Sequence, residues 1–131
     1  MKWVIDGVLM RSSRPGYPSP RVSKELVDQW LARISEIGIR TIICLLDEDQ
    51  LNYYSSIPEG LLGLYRNSGF KVIHKRIPDP AYHQEGWAVL EERLNEIYKS
   101  FQAAEKPVLI HCSAGQDRTG RVINYIKEQG F

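Results

Sequence analysis

The chain has little from which to build a covalent or metal framework. Its 131 residues hold only two cysteines, Cys44 and Cys112, in separate contexts and without CxxC spacing. Neither a disulfide framework nor a four-ligand zinc site is expected from them. No apolar run reaches the roughly 18 residues of a membrane span. The N-terminus meets Asp6 directly after Trp3, Val4 and Ile5, too soon for a secretory leader. The balance of 17 basic against 16 acidic side chains leaves a net charge of +1. That lacks the basic excess of a nucleic-acid footprint, so no nucleic-acid partner is expected. A G-x-S-x-G elbow and a Walker loop are both missing, which removes serine-hydrolase and nucleotide-driven readings. Internal repeats and low-complexity segments are missing too. With 43% hydrophobic residues, the expectation is one cytoplasmic domain over 1–131 with a real core.

What is present alternates between strand and helix signals. Val8 to Ser12 reads as a short strand, and the Pro/Ser/Gly-rich stretch from Ser12 to Ser23 as a loop. Ser23 can cap a helix that runs to Ile37, with Leu26, Trp30, Ile34 and Ile37 on one face and Gly38 ending it. Ile39 to Leu46 is a nearly continuous apolar run, as in a buried parallel strand. Pro58 can open a helix through Leu61, Leu62 and Tyr65, stopped by Gly69. Phe70 to Arg76 alternates like a strand, and Ile77 to Glu85 is a loop. A long helix follows, with Trp87, Leu90, Leu94, Ile97 and Phe101 at helical spacing. Val108 to Ile110 is the last strand and Arg121 to Gln129 the last helix. This order predicts an α/β fold: a mostly parallel central sheet flanked by helices on both faces. Ligands of such sheets sit beyond the C-terminal strand ends.

Between that last strand and helix lies His111-Cys112-Ser113-Ala114-Gly115-Gln116-Asp117-Arg118-Thr119-Gly120. A strand–loop–helix of this kind surrounds the cysteine with backbone N–H groups at the positive end of a helix. It holds a tetrahedral oxyanion and keeps a thiol ionised. Cys112 is the candidate nucleophile for attack on phosphorus. Ser113, Ala114, Gly115, Gln116, Asp117 and Arg118 are the candidate phosphate-binding residues, Arg118 supplying a fork that pairs two oxygens. Gly115 lets the amides turn inward, and Thr119 brings a hydroxyl near the sulfur. His111 reads as a buried orienting residue rather than a base. Cys44, inside an apolar strand, reads as a core residue.

Transfer to a thiolate also needs an acid for the leaving oxygen. Asp79, between Pro78 and Pro80 on a loop after a neighbouring strand, is the candidate. Tyr82, His83 and Gln84 on the same loop are either pocket lining or solvated. No cofactor and no metal are called for.

These residues resemble the protein tyrosine phosphatase superfamily, in its compact dual-specificity type. His111 to Gly120 matches the HCxxGxxR[ST] signature. Arg11-Ser12-Ser13-Arg14-Pro15 resembles the early RS..P segment, Ile39 to Leu46 the GI..VI.L strand, and Ile77-Pro78-Asp79 the acid loop. The resemblance implies a metal-free, two-step reaction through a phosphocysteine. Asp79 serves as acid and then base, and Thr119 assists departure of the thiolate. It also implies a shallow pocket that admits phosphoserine and phosphothreonine beside phosphotyrosine. The partner is then a phosphorylated protein or a small phosphomonoester.

Two features depart from the family pattern. Asp117 places an acid inside the loop and stands as an alternative acid to Asp79. Gln116-Asp117 keeps the outline of phosphoinositide-directed relatives without their cation, so a phosphoinositide, inositol phosphate or RNA 5′-phosphate is the alternative substrate. Members also usually carry further helices after the signature helix, whereas the sequence here stops at Phe131. Val122, Ile123 and Ile126 are therefore expected to be exposed, which suggests a weak homodimer through the C-terminal helix. Rivals from other classes are a non-catalytic phosphate-binding module and a redox or sulfur-transfer protein.

Overall fold

The computed structural model describes residues 1–131. Strands β1 (Lys2–Ile5), β2 (Leu9–Ser12), β3 (Thr41–Cys44), β4 (Lys71–His74) and β5 (Val108–His111) form one sheet in the order β1-β2-β5-β3-β4. Helices α1 (Lys24–Ile37), α2 (Glu48–Leu51), α3 (Gly60–Asn67), α4 (Gly86–Ala103) and α5 (Asp117–Glu128) connect them, with a 3₁₀ turn at Asn52–Tyr54. All pairings are parallel except β1 with β2. The predicted mostly parallel α/β sheet is what forms. β1 was not foreseen; it is a half-buried edge strand that adds an antiparallel hairpin.

Both faces of the sheet are covered, which is why β3 and β5 are buried at every position. Ile42, Cys44 and Leu109 face one layer, formed by α1 and α3 through Val27, Leu31, Ile34, Leu61, Leu64 and Tyr65. Ile43, Leu45, Val108 and Ile110 face the other, formed by Leu90, Leu94, Ile97 and Phe101 of α4 and Val122, Ile123 and Ile126 of α5.

Three expectations change. Helix α1 is capped by Ser23 and closed by Gly38 as read, but its buried face is Val27–Leu31–Ile34. Leu26 and Ile37 are 40% and 38% exposed. Two apolar stripes one residue apart share Ile34, and docking against the sheet selects the one centred on Leu31. Trp87 lies on the exposed first turn of α4, while its helical partners are buried. Finally, Val122, Ile123 and Ile126 are not exposed: α4 covers them, so this face offers no argument for a dimer. No helix is long and apolar enough to cross a membrane.

The register brings the functional loops together. Ser12 aligns with His111, His111 with Cys44, and Cys44 with His74. The segments that follow these residues, carrying Arg14, Cys112, Asp47 and Asp79, therefore leave the sheet along one rim.

Candidate active site

The loop after β5 turns at Gly115, whose φ of +76° is left-handed and whose Cα side presses on the Ser12–Ser13 backbone. A Cβ there would lie 2.6 Å from the Ser12 carbonyl oxygen. Glycine is required at this position on both counts. Arg11 Nη2 donates to the Gly115 carbonyl at 2.7 Å, and the Arg14 amide donates to the Ser113 carbonyl at 2.9 Å. Helix α5 begins at Asp117, four residues earlier than the sequence suggests, so Arg118 and Thr119 lie in its first turn. As a result, no backbone N–H from Ser113 through Thr119 donates to a protein acceptor. Successive unpartnered amides at a helix start are a ready seat for a tetrahedral oxyanion.

Cys112 is buried beneath this loop. Thr119 Oγ1, also buried, has no hydrogen-bond partner in the protein. Arg118 is 1% exposed and is anchored from behind. Its Nη1 donates to the carbonyls of Leu45 at 3.2 Å and Ile77 at 2.8 Å, and to Gln50 Oε1 at 2.9 Å. Nη2 donates to Asp79 Oδ2 at 3.1 Å, and Nε carries no protein acceptor. One edge of the guanidinium is thus fixed by the protein while the other remains available.

Asp79 joins the same cluster. Its Oδ2 also accepts from Gln50 Nε2 at 2.7 Å, and its Oδ1 accepts from the Ala81 amide at 3.0 Å. Its own amide donates to Asp47 Oδ2 at 3.2 Å, while Asp47 Oδ1 caps α2 through the Gln50 amide. Gln50 therefore bridges acid and arginine, one amide group satisfying both. Neither Gln50 nor Asp47 was singled out from sequence. The signal was there: Asp47-Glu48-Asp49-Gln50 has the spacing of a helix-capping box.

A cavity of about 320 Å³ opens over these groups, lined by Arg14, Tyr17, Pro18, Tyr53, Asp79, Ala81, Tyr82, Cys112, Ser113, Ala114, Asp117 and Arg118. Cys112, Arg118, Asp79 and Asp117 are thus brought together, as are Ser113 and Ala114 of the loop. Gly115 is buried behind the loop and Gln116 is exposed. Of the undecided loop residues, Tyr82 lines the cavity, whereas His83 turns to a neighbouring hollow and approaches Asp49 at 3.4 Å. Asp47, Asp49 and His83 have the donor types and closeness of a metal cluster, but Asp47 is already committed to Gln50 and Asp79.

His111 is fully buried and points away from the cavity. Its Nδ1 contacts the Cys112 carbonyl at 3.0 Å and its Nε2 meets the Tyr65 hydroxyl at 3.0 Å. Burial, reinforced by the nearby Arg118 and Arg14 charges, lowers its pKa to about 4. The neutral ring with Nδ1–H donating and Nε2 accepting satisfies both contacts. Burial likewise pushes the Cys44 thiol up to about 12, which keeps it inert in the core.

A family model described as "Tc-R-P: Polymorphic toxin system, DSP-PTPase phosphatase" matches residues 15–129. No match was found among curated proteins.

Proposed function

The chain belongs to this family of DSP-PTPase phosphatases of polymorphic toxin systems, and from that premise we propose that it hydrolyses phosphomonoesters through a phosphocysteine on Cys112. The observation that carries this reading is the fan of unpartnered amides from Ser113 to Thr119 around a buried thiol, with the open edge of Arg118 beside it. Such a site holds three phosphoryl oxygens and presents the phosphorus to sulfur.

In the first step the Cys112 thiolate forms the S–P bond as the ester P–O bond breaks, and Asp79 gives its proton to the departing oxygen. A phosphoryl group seated at the loop amides lies beside both Arg118 Nη2 and Asp79 Oδ2, which are 3.1 Å apart, so the carboxyl is within reach of the departing oxygen. In the second step Asp79 accepts a proton from water as the water oxygen attacks phosphorus and the S–P bond breaks. The free Thr119 hydroxyl can donate to the returning thiolate. Gln50 keeps Asp79 and Arg118 in register throughout. His111 acts as a positioning residue behind Cys112. Asp117, exposed at the rim and bound to no other side chain, is the second acid candidate.

Substrates on this reading are phosphotyrosine, phosphoserine and phosphothreonine, which the open cavity with its Tyr17, Tyr53 and Tyr82 wall accommodates. The test is turnover of a small aryl phosphate with EDTA present. Wild type should turn over, Cys112→Ser should be inactive, and Asp79→Asn should be slowed most on poor leaving groups. Binding of vanadate without turnover by wild type would instead mark a phosphate-binding module. An Asp79→Asn rate near wild type on alkyl phosphates would move the acid to Asp117.

A further inference from the structure

Arg14 is a second arginine in the cavity wall, and the proposed reaction leaves it without a task. It is 3% exposed, yet no carboxylate pairs with it. Its Nε donates to Ser113 Oγ at 3.1 Å and its Nη1 approaches the Tyr54 hydroxyl at 3.4 Å. Tyr54 in turn donates to the Pro15 carbonyl at 2.6 Å, which fixes that hydroxyl as an acceptor toward Arg14. The guanidinium lies 4.6 Å from the ring centre of Tyr53, with Tyr17 and Tyr54 at 5.6 and 5.9 Å. Nη2 has no protein acceptor. All of its partners are neutral.

A buried guanidinium is ordinarily paired, because desolvating a charge without a counter-charge is costly. Ring faces offset part of that cost. They do not replace an anion, and Nη2 is left without a protein acceptor on a side chain that lines the cavity. Arg118, by contrast, is already matched with Asp79 in the free protein. Arg14 and Arg118 thus share the cavity with Asp79 and Asp117, and of the two arginines only Arg118 is paired with a carboxylate. Arg14 is instead tethered to Ser113, the residue next to the nucleophile.

We infer that Arg14 binds a second anionic group of the substrate, a phosphate close to the scissile one on the same small scaffold. The inference rests on the phosphatase reading and adds a preference, among phosphomonoesters, for those with a second phosphate close by. Because Arg14 is bonded to Ser113, the residue after Cys112, the second phosphate it would meet is one borne close to the scissile group. With Nε bonded to Ser113 and Nη1 to Tyr54, the two Nη2 N–H donors remain for the second phosphate.

The test compares kcat/KM for phenyl phosphate, 1,2-phenylene bis(phosphate) and 1,4-phenylene bis(phosphate). Wild type should favour the 1,2 compound over phenyl phosphate by about 10- to 100-fold, chiefly through KM, as expected for charge-assisted hydrogen bonds. The 1,4 compound should show no more than the twofold advantage of carrying two cleavable groups. Arg14→Met should bring the 1,2 preference to within about twofold of that baseline, and Arg14→Lys should retain part of it. A purely structural arginine would lower all three rates together and leave the ratio intact; that result overturns the inference. A wild type that cleaves phenyl phosphate without preferring the 1,2 compound overturns it as well, while leaving the phosphatase reading in place. Turnover of none of the three by wild type removes both. Because the wild-type ratio is itself decisive, a poorly folding Arg14→Met does not protect the inference.

Discussion

Replacing Gly86 by alanine should disable the acid without touching the nucleophile. Gly86 is the first residue of α4, and its Cα packs against the loop that carries Asp79. A Cβ at this position would stand 2.5 Å from the Pro78 carbonyl oxygen, 2.9 Å from Pro80 N and 3.0 Å from Pro80 Cα. Ordinary contact begins at 3.4 Å, and the obstacles are backbone atoms rather than the end of a flexible side chain. The Pro78–Pro80 segment must therefore retreat by about 1 Å, taking Asp79 with it. Misplacing a reacting group by about 1 Å costs on the order of 100-fold. Overpacking costs about 1–3 kcal/mol of stability. The variant should stay folded.

The assay separates acid from nucleophile by leaving group. For Gly86→Ala, kcat on an alkyl phosphate should fall about 100-fold, whereas p-nitrophenyl phosphate, which needs little protonation, should lose less than about tenfold. Inhibition by vanadate should change far less than the alkyl phosphate rate, since the loop amides after Cys112 are not displaced. Equal losses on both substrates would refute the reasoning, as would an alkyl phosphate rate equal to wild type.

Two further outcomes follow from buried groups. Gln50→Leu keeps the shape of the side chain but leaves Arg118 Nη1 and Asp79 Oδ2 each one partner short. It should cost about 1–3 kcal/mol in urea unfolding and lower kcat/KM, and an unchanged urea midpoint would count against the bridge. His111 titrates at about 4 in the folded chain against an ordinary value of 6.5. The unfolded chain therefore binds its proton first, so stability is fully present above pH 6.5 and falls as pH drops toward 4. The loss should reach about 3 kcal/mol and be missing from His111→Asn. Parallel stability–pH curves for the two proteins would argue against a buried neutral ring.

What could be read in advance was whatever the chain encodes locally. Cys112, Gly115 and Arg118 lie within one loop and one helical turn, so their spacing alone fixes their meeting. Asp79 needed the further step of knowing that parallel strands end on one rim, and β3–β4–β5 register supplies it. The capping spacing marks Gln50 as a helix start, but its bridge to Arg118 and the setting of Arg14 were out of reach because they depend on partners distant in sequence. Gln50 meets Arg118 only through α2, a four-residue helix too short to show a period. Arg14 acquires its setting from Ser113 and Tyr54. The α1 face was read only in part for a different reason: Leu26 and Ile37 are as apolar as the residues that dock, Trp30 among them, and only the sheet distinguishes them.

The contacts between Arg11, Arg14 and the cysteine loop also bear on how the protein comes into being. They join residues 104 and 99 positions apart, and the central β2–β5 pairing beneath them spans a similar separation. Contacts of such separation form late, after the cost of closing a long loop of chain has been met. During synthesis, a ribosome that has delivered every residue up to Lys106 has yet to supply the strand onto which β2 must zip. The domain is therefore catalytically silent until β5 has been supplied, and activity should appear abruptly rather than in proportion to length. Turnover would then serve as a reporter for completed folding.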